Sequence, residues 1–314
     1  MALDTSRGIE VPSSPPLQEP LSASLSWSRM LSDYIQLTKP RILIMVLLTV
    51  GVAVVAVPNT VASFWVFLHA MIGTGFVAAS ASVMNQWMER GPDALMPRTA
   101  KRPLPDGRLT SLEAAVLGWA LFLAGTLYLA VLTTILTAIM GAITWTLYVW
   151  VYTPMKQYSW WNTAVGTLPG ALPVLMGWTA AGGRLDEWGG WLLTLIVVLW
   201  QFPHFMSIAW LYRDQYAQAG YQMLTNVEPT GRLAAWHAII PSLLLIPNSI
   251  FVLRPVSTYD WFLVILGVIT CMGQIVASFA FMRDRNRQTA RKLLRSSLIF
   301  LPAILVLVVV RSYL

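Results

Sequence analysis

Apolar runs of about twenty residues recur along this 314-residue chain, and no other feature restricts its fold as much. A bilayer core about 30 Å thick is crossed by roughly 20 residues of helix. Runs of about that length fall at 42–57, 61–85, 111–131, 133–153, 162–180, 189–210, 233–252, 260–282 and 294–311. They are too long and too continuous for barrel strands, and only helices and closed barrels span lipid. The expected fold is therefore all-α, a polytopic membrane bundle of about nine transmembrane helices. The chain is 56% hydrophobic and only 11% charged, against about 25% charged in soluble domains.

The basic residues set an orientation. With the N-terminus in the cytoplasm, 18 of the 21 Lys and Arg residues fall on the cytoplasmic side, and only Arg184, Arg254 and Arg311 fall on the other. This is the distribution of a protein inserted positive side in. It accounts for the net charge of +7 without nucleic acid as a partner. The expected location is the cytoplasmic (inner) membrane.

Residues 1–32 are polar and rich in Ser and Pro. They read as a flexible tail ahead of a transmembrane domain at 33–314, with no cleavable signal peptide. Trp27, Met30, Leu31, Tyr34 and Ile35 follow the i, i+3, i+4, i+7, i+8 pattern of one helix face. That face either lies on the membrane surface or extends the first span. The single cysteine, Cys271, sits in an apolar run and reads as packing.

One stretch breaks the apolar pattern: "NQWMERGPDALMPRTAKRPL", residues 85–104. Asn85, Glu89 and Asp93 are spaced i, i+4, i+8, so on a helix each is offset from the last by about 40° and the three share a face. An amide and two carboxylates so placed can share a divalent cation. Mg²⁺ is the suitable one, because it completes its oxygen shell with water and substrate phosphates. Arg98, Lys101 and Arg102 follow closely. Taken singly, such residues also serve as orientation markers. Beside carboxylates, they suit a metal–diphosphate ligand whose phosphate oxygens they can hold. Pro92 predicts a helix end near Glu89, which would move Asp93 off the shared face.

A second polar loop, roughly 211–232, carries Tyr212, Arg213 and Asp214. Asp214 could hold a metal or orient a ligand; it could equally pair with its neighbour Arg213. His204, in "WQFPHF", is an ionisable group inside a span and so a functional candidate, although a histidine satisfied by a neighbouring helix is the commoner case. His69 and His237 read as packing or hydrogen-bonding residues.

These stretches together resemble the membrane-embedded UbiA-type aromatic prenyltransferases. The resemblance rests on Asn85-x-x-x-Glu89-x-x-x-Asp93 with "DALMPRTAKRPLPDGRLT". It also rests on "DYIQLTKPRI" at 33–42, "YTPMKQYSWWNTAVGTLPGALPVLMGW" at 152–178, "WQFPHF" at 200–205 and "YRDQYAQAGYQML" at 212–224. It covers about residues 33–311, and within the superfamily it is strongest to the heme O synthase (protoheme IX farnesyltransferase) branch. The resemblance implies a central cavity opening toward the cytoplasm and sideways toward lipid. It implies Mg²⁺ as cofactor, farnesyl diphosphate as donor and heme b as acceptor. Carried over, Asn85, Glu89, Asp93 and Asp214 would be the catalytic and metal-binding residues. Arg98, Lys101, Arg102, Tyr212 and Arg213 would bind diphosphate, and His204 would contact heme. Heme A synthase or terminal oxidase assembly factors are the implied partners within the lipid bilayer. Three departures stand out: Glu89 replaces the more usual Asp, Gly91 and Pro92 stand where relatives carry helix-compatible polar residues, and Gln218 stands where other superfamily members carry a second acid.

Two other readings stay open on the residues alone. One is a related prenyltransferase that acts on a quinone precursor or another aromatic acceptor. The other is a transporter with a charged gate.

Overall fold

The computed structural model describes residues 27–58, 60, 63–255 and 257–314. Most of the polar tail assigned to 1–32 lies outside the described residues. A helix, α1 (Trp27–Leu37), takes in its last residues. Then follow α2 (Pro40–Val55), α3 (Phe64–Ala94), α4 (Ser111–Leu132), α5 (Ile135–Thr146), a π-helical stretch over Leu147–Tyr152 and α6 (Thr153–Tyr158). The second half holds α7 (Asn162–Ala171), α8 (Pro173–Ala180), α9 (Trp188–Leu211), α10 (Arg213–Gln218), α11 (Leu224–Val227), α12 (Arg232–Leu253), α13 (Thr258–Arg283) and α14 (Arg287–Ser312). Among the described residues there is no strand.

Seven helical segments are long and apolar enough to cross a membrane: α3, α4, the run Ile135–Tyr158, α9, α12, α13 and α14. The α1–α2 pair, bent by 51°, makes an eighth. The ninth expected segment, 162–180, is covered by α7 and α8, each too short to meet that length test alone. There Pro173, which has no backbone N–H to donate, opens α8 immediately after Leu172, so the segment is built of two consecutive helices.

The helices pack in sequence around the bundle, α2 on α3, α3 on α4, α4 on α5 and α5 on α8. In the second half α9 contacts α7, α12 and α14, and α14 returns against α2. Small residues permit the closest approach, as is usual where helices pack in lipid. A Cβ on Gly177 of α8 would lie 2.3 Å from the Val50 carbonyl oxygen of α2. Sequence-local caps fix several ends. Thr110 and Glu113 form a reciprocal box at α4, and Asn286 caps α14 through the Gln288 and Thr289 amides.

Helix α3 matters most for function. At 31 residues it is about 46 Å long at 1.5 Å per residue, so its C-terminal turns extend beyond a hydrocarbon core about 30 Å thick. Asn85, Glu89 and Asp93 lie in those turns. The expected stop near Glu89 does not occur: α3 runs to Ala94 with Pro92 inside it. A proline clashes with the Cβ and N–H of the residue before it, and that residue is Gly91, which has no Cβ. Only the last turn loses a backbone donor, and Asp93 keeps its place on the shared face.

Candidate functional site at the end of α3

All three residues of the α3 stripe are buried: Asn85 is 0% exposed, Glu89 6% and Asp93 1%. Each meets a cation from a different part of the chain. Lys39 Nζ donates to Asn85 Oδ1 at 2.6 Å. Lys156 Nζ stands 2.6 Å from Glu89 Oε1. Arg102 Nη1 stands 2.5 Å from Asp93 Oδ2. An acid in the last turn of a helix opposes the negative end of the helix dipole, and Arg102 offsets that cost at Asp93. Three basic side chains against two carboxylates leave positive charge in excess, which suits an anionic ligand.

Local structure brings each cation in. Lys39 lies in the left-handed region (φ 51°) at the start of α2, in the break after α1. Gln86 holds that junction, its Nε2 donating to the Leu37 carbonyl at 2.8 Å. Arg108 ties α1 to the first loop, with Nε 3.2 Å from Asp33 Oδ1 and Nη1 2.8 Å from Asp106 Oδ2. On the other side the π-helical stretch redirects the chain. The Thr153 amide and hydroxyl both reach back to the Tyr148 carbonyl. Thr153 Oγ1 in turn accepts from Asn85 Nδ2 at 3.0 Å. One turn on, Lys156 rests over the Tyr152 ring at 4.6 Å. Such π turns gather at functional sites, and here one sets Thr153 and Lys156 against Asn85 and Glu89.

The two polar loops meet beside this cluster. Met96 of the first loop packs with Ala209, Ala219, Tyr221 and Met223. The Arg98 guanidinium lies 4.7 Å from the Tyr212 ring centre and 5.2 Å from that of Tyr216, and Nη2 donates to the Tyr216 hydroxyl at 3.0 Å. Gln222 N donates to the Lys156 carbonyl at 2.7 Å. The Tyr221 hydroxyl is buried with no hydrogen-bond partner among the described residues; burial raises its pKa, so it stays protonated. Lys101 is exposed.

Arg213 and Asp214 lie on the second loop, in the first turn of α10. Arg213 lies over the Trp210 ring at 4.3 Å and 3.6 Å from Asp214, whose side chain is 89% exposed. Asp214 opens the short helix α10, and no hydrogen bond or ion pair links it to Asn85, Glu89 or Asp93 among the described residues. His204 lies on α9, stacked on Trp200 with ring centres 5.0 Å apart. Its Nδ1 is 3.0 Å from Ser297 Oγ of α14.

Lys39, Thr153 and Lys156 had no assigned role in the sequence reading. Lys156 counted there only as an orientation marker. The usable signal was Tyr148-x-x-x-Tyr152-x-x-x-Lys156, the same four-residue spacing as the α3 stripe.

Two carboxylates and an amide on one face make a partial oxygen shell, of the kind a Mg²⁺ ion completes with water and phosphate oxygens. Among the described residues no group of three or more His, Cys, Asp and Glu side chains could hold a metal alone. The residues present therefore fit a metal that arrives with, or is completed by, a phosphorylated ligand.

A buried face of oxygen donors paired with cations, at the end of a long helix in an all-helical bundle of membrane-spanning length, marks an integral membrane protein. The chain belongs to the UbiA prenyltransferase family, whose family model matches residues 45–302. It is 44% identical over 287 residues to the protoheme IX farnesyltransferase of Rhodopirellula baltica, covering 88% of this chain and 99% of that one. Its fold is similar to a solved digeranylgeranylglyceryl phosphate synthase, with a TM-score of 0.73 and 18% identity over 90% of this chain and 98% of that one. It is similar also to a UbiA homolog from Archaeoglobus fulgidus bound to GPP and Mg²⁺, with a TM-score of 0.63 and 14% identity over 88% of this chain and 99% of that one.

Proposed function

We propose that this chain transfers the farnesyl group of farnesyl diphosphate to a vinyl group of protoheme IX (heme b), giving heme O. The observation that carries this reading is the buried Asn85–Glu89–Asp93 face, each member held by a separate cation. The family and the Rhodopirellula baltica relative support the donor and acceptor.

Asn85, Glu89 and Asp93 would hold Mg²⁺. When bound, the ion supplies positive charge to the diphosphate leaving group. Lys39, Lys156 and Arg102 already stand at the same oxygens, so a bound diphosphate gives them phosphate oxygens to hold instead. Arg98, braced by Tyr212 and Tyr216, holds the outer phosphate, with exposed Lys101 beside it. Arg213 and Asp214 shape the second loop that carries Tyr212.

These preplaced charges are directed at the anion that develops as the bond between the farnesyl carbon and oxygen breaks. The electron pair leaves with diphosphate. A porphyrin vinyl group attacks the resulting allylic cation. Water then adds to the new cation and loses a proton, leaving a hydroxyethylfarnesyl group. The surrounding apolar helices keep water from the allylic cation until the vinyl carbon reaches it. His204 would contact heme through Nε2, with Ser297 holding Nδ1. We place the basic loops and the α3 cluster on the cytoplasmic side, as positive-inside insertion requires.

Mass analysis of hemes extracted from cells with and without the protein tests this reading. Farnesylated heme that depends on the chain supports it; a farnesylated quinone precursor with unchanged hemes would overturn it.

A further inference from the structure

A second basic-lined hollow lies away from the α3 cluster. Between α13 and α14 the surface encloses a hollow of about 480 Å³, lined by Ile269, Thr270 and Gly273 on one side and by Lys292, Arg295 and Ile299 among others on the next helix. It shares no lining residue with the α3 site. The hollow is open at Gly273, where a Cβ built on the backbone meets nothing within 4 Å. Its flanks face outward, with Ile269 61% and Ile299 69% exposed.

The chemistry of the hollow is graded along its length. Lys292 and Arg295, one turn apart on α14, lie at one end. They belong to a run with Arg283, Arg285, Arg287 and Arg291 in which Asp284 is the one acid. From Lys292 to Ala303 the lining extends roughly 16 Å along the helix and is apolar beyond Ser296. A cationic mouth followed by a lipid-facing apolar trough matches an amphiphile with an anionic head. Basic recesses between transmembrane helices recognise anionic lipid headgroups in this way. A small soluble anion would leave the trough unused.

We propose that the α13–α14 groove is a binding site for an anionic phospholipid, its headgroup phosphate between Lys292 and Arg295 and one acyl chain over Gly273. The test uses the full chain in nanodiscs of phosphatidylcholine with about 20% phosphatidylglycerol, followed by native mass spectrometry of the lipids retained. Lys292→Ala with Arg295→Ala removes the head contacts. Gly273→Leu fills the trough without meeting protein atoms at its Cβ. Arg287→Ala removes one charge from the same basic run but not from the groove.

The expected result is preferential retention of phosphatidylglycerol, reduced about tenfold by the double variant and by Gly273→Leu and unchanged by Arg287→Ala. Pyrophosphate release by the double variant stays at the wild-type level in neutral lipid. Equal losses in Arg287→Ala would make the attraction a property of the whole basic run and overturn the site. Full retention in Gly273→Leu would also overturn it, as would displacement of the lipid by farnesyl diphosphate.

Discussion

Lys156 and Glu89 form an ion pair at 2.6 Å across 67 residues of sequence, with side chains 15% and 8% exposed. The pair joins the end of α6 to the end of α3, and it puts a cation on an oxygen that the proposed chemistry needs for a metal. Removing one member of a buried pair leaves the other charge uncompensated, at a cost of about 3–5 kcal/mol. Lys156→Met should therefore lower thermal stability in detergent by that order. Adding Glu89→Gln should restore much of the loss, because no bare carboxylate remains. Thermal unfolding of the two variants checks the sign, and neither should release pyrophosphate.

Asp93 and Asp214 should behave differently. Asp93 is 1% exposed and held by Arg102, whereas Asp214 is exposed and pairs with Arg213. Asp93→Asn is expected to reduce kcat by about 100-fold or more. Asp214→Asn should stay within about threefold of wild type, since its pair with Arg213 is solvent-screened. Steady-state pyrophosphate release measures both. A large loss in Asp214→Asn would assign that carboxylate a role on the ligand.

Arg98→Lys keeps the charge but gives up a planar group stacked against two tyrosines. A rise of about tenfold in KM for farnesyl diphosphate is expected, with a smaller change in kcat. Tyr216→Phe removes the hydroxyl that accepts from Arg98 and should shift KM in the same direction by less.

His204 and Ser297 predict a split between the two substrates. His204→Ala should weaken heme binding, read from the heme absorption spectrum, and leave the KM for farnesyl diphosphate unchanged. Ser297→Ala should produce a weaker version of the same change, because it frees Nδ1 without removing the ring.

The apolar runs made most of the spans legible, since length and hydropathy decide which segments cross a bilayer. The α3 stripe could be read from its four-residue spacing because a helix turns that spacing into a face. What local pattern did not carry was pairing at a distance. Lys39 meets Asn85 across 46 residues and Lys156 meets Glu89 across 67, so neither partner could be assigned before the helices were packed. Pro92 misled because Gly91 and Pro92 were both counted against the helix, whereas Gly91 has no Cβ for the proline ring to clash with. Pro173 stands inside a continuous apolar run, and there the segment 162–180 is built of two consecutive helices, α7 and α8. The link between the loops through Met96, Arg98, Tyr212 and Tyr216 depends on two turns meeting in space, which neither composition nor period encodes.

The central claim is that the α3 face acts on the diphosphate of the donor. Its most direct test is pyrophosphate release by the purified protein in nanodiscs, given farnesyl diphosphate, heme b and Mg²⁺, for wild type, Asn85→Ala and Glu89→Gln. The wild type should release pyrophosphate in step with heme O formation, and both variants should fall to about one-hundredth of its rate or less while still unfolding cooperatively. Wild-type rates in folded Asn85→Ala and Glu89→Gln would contradict the account.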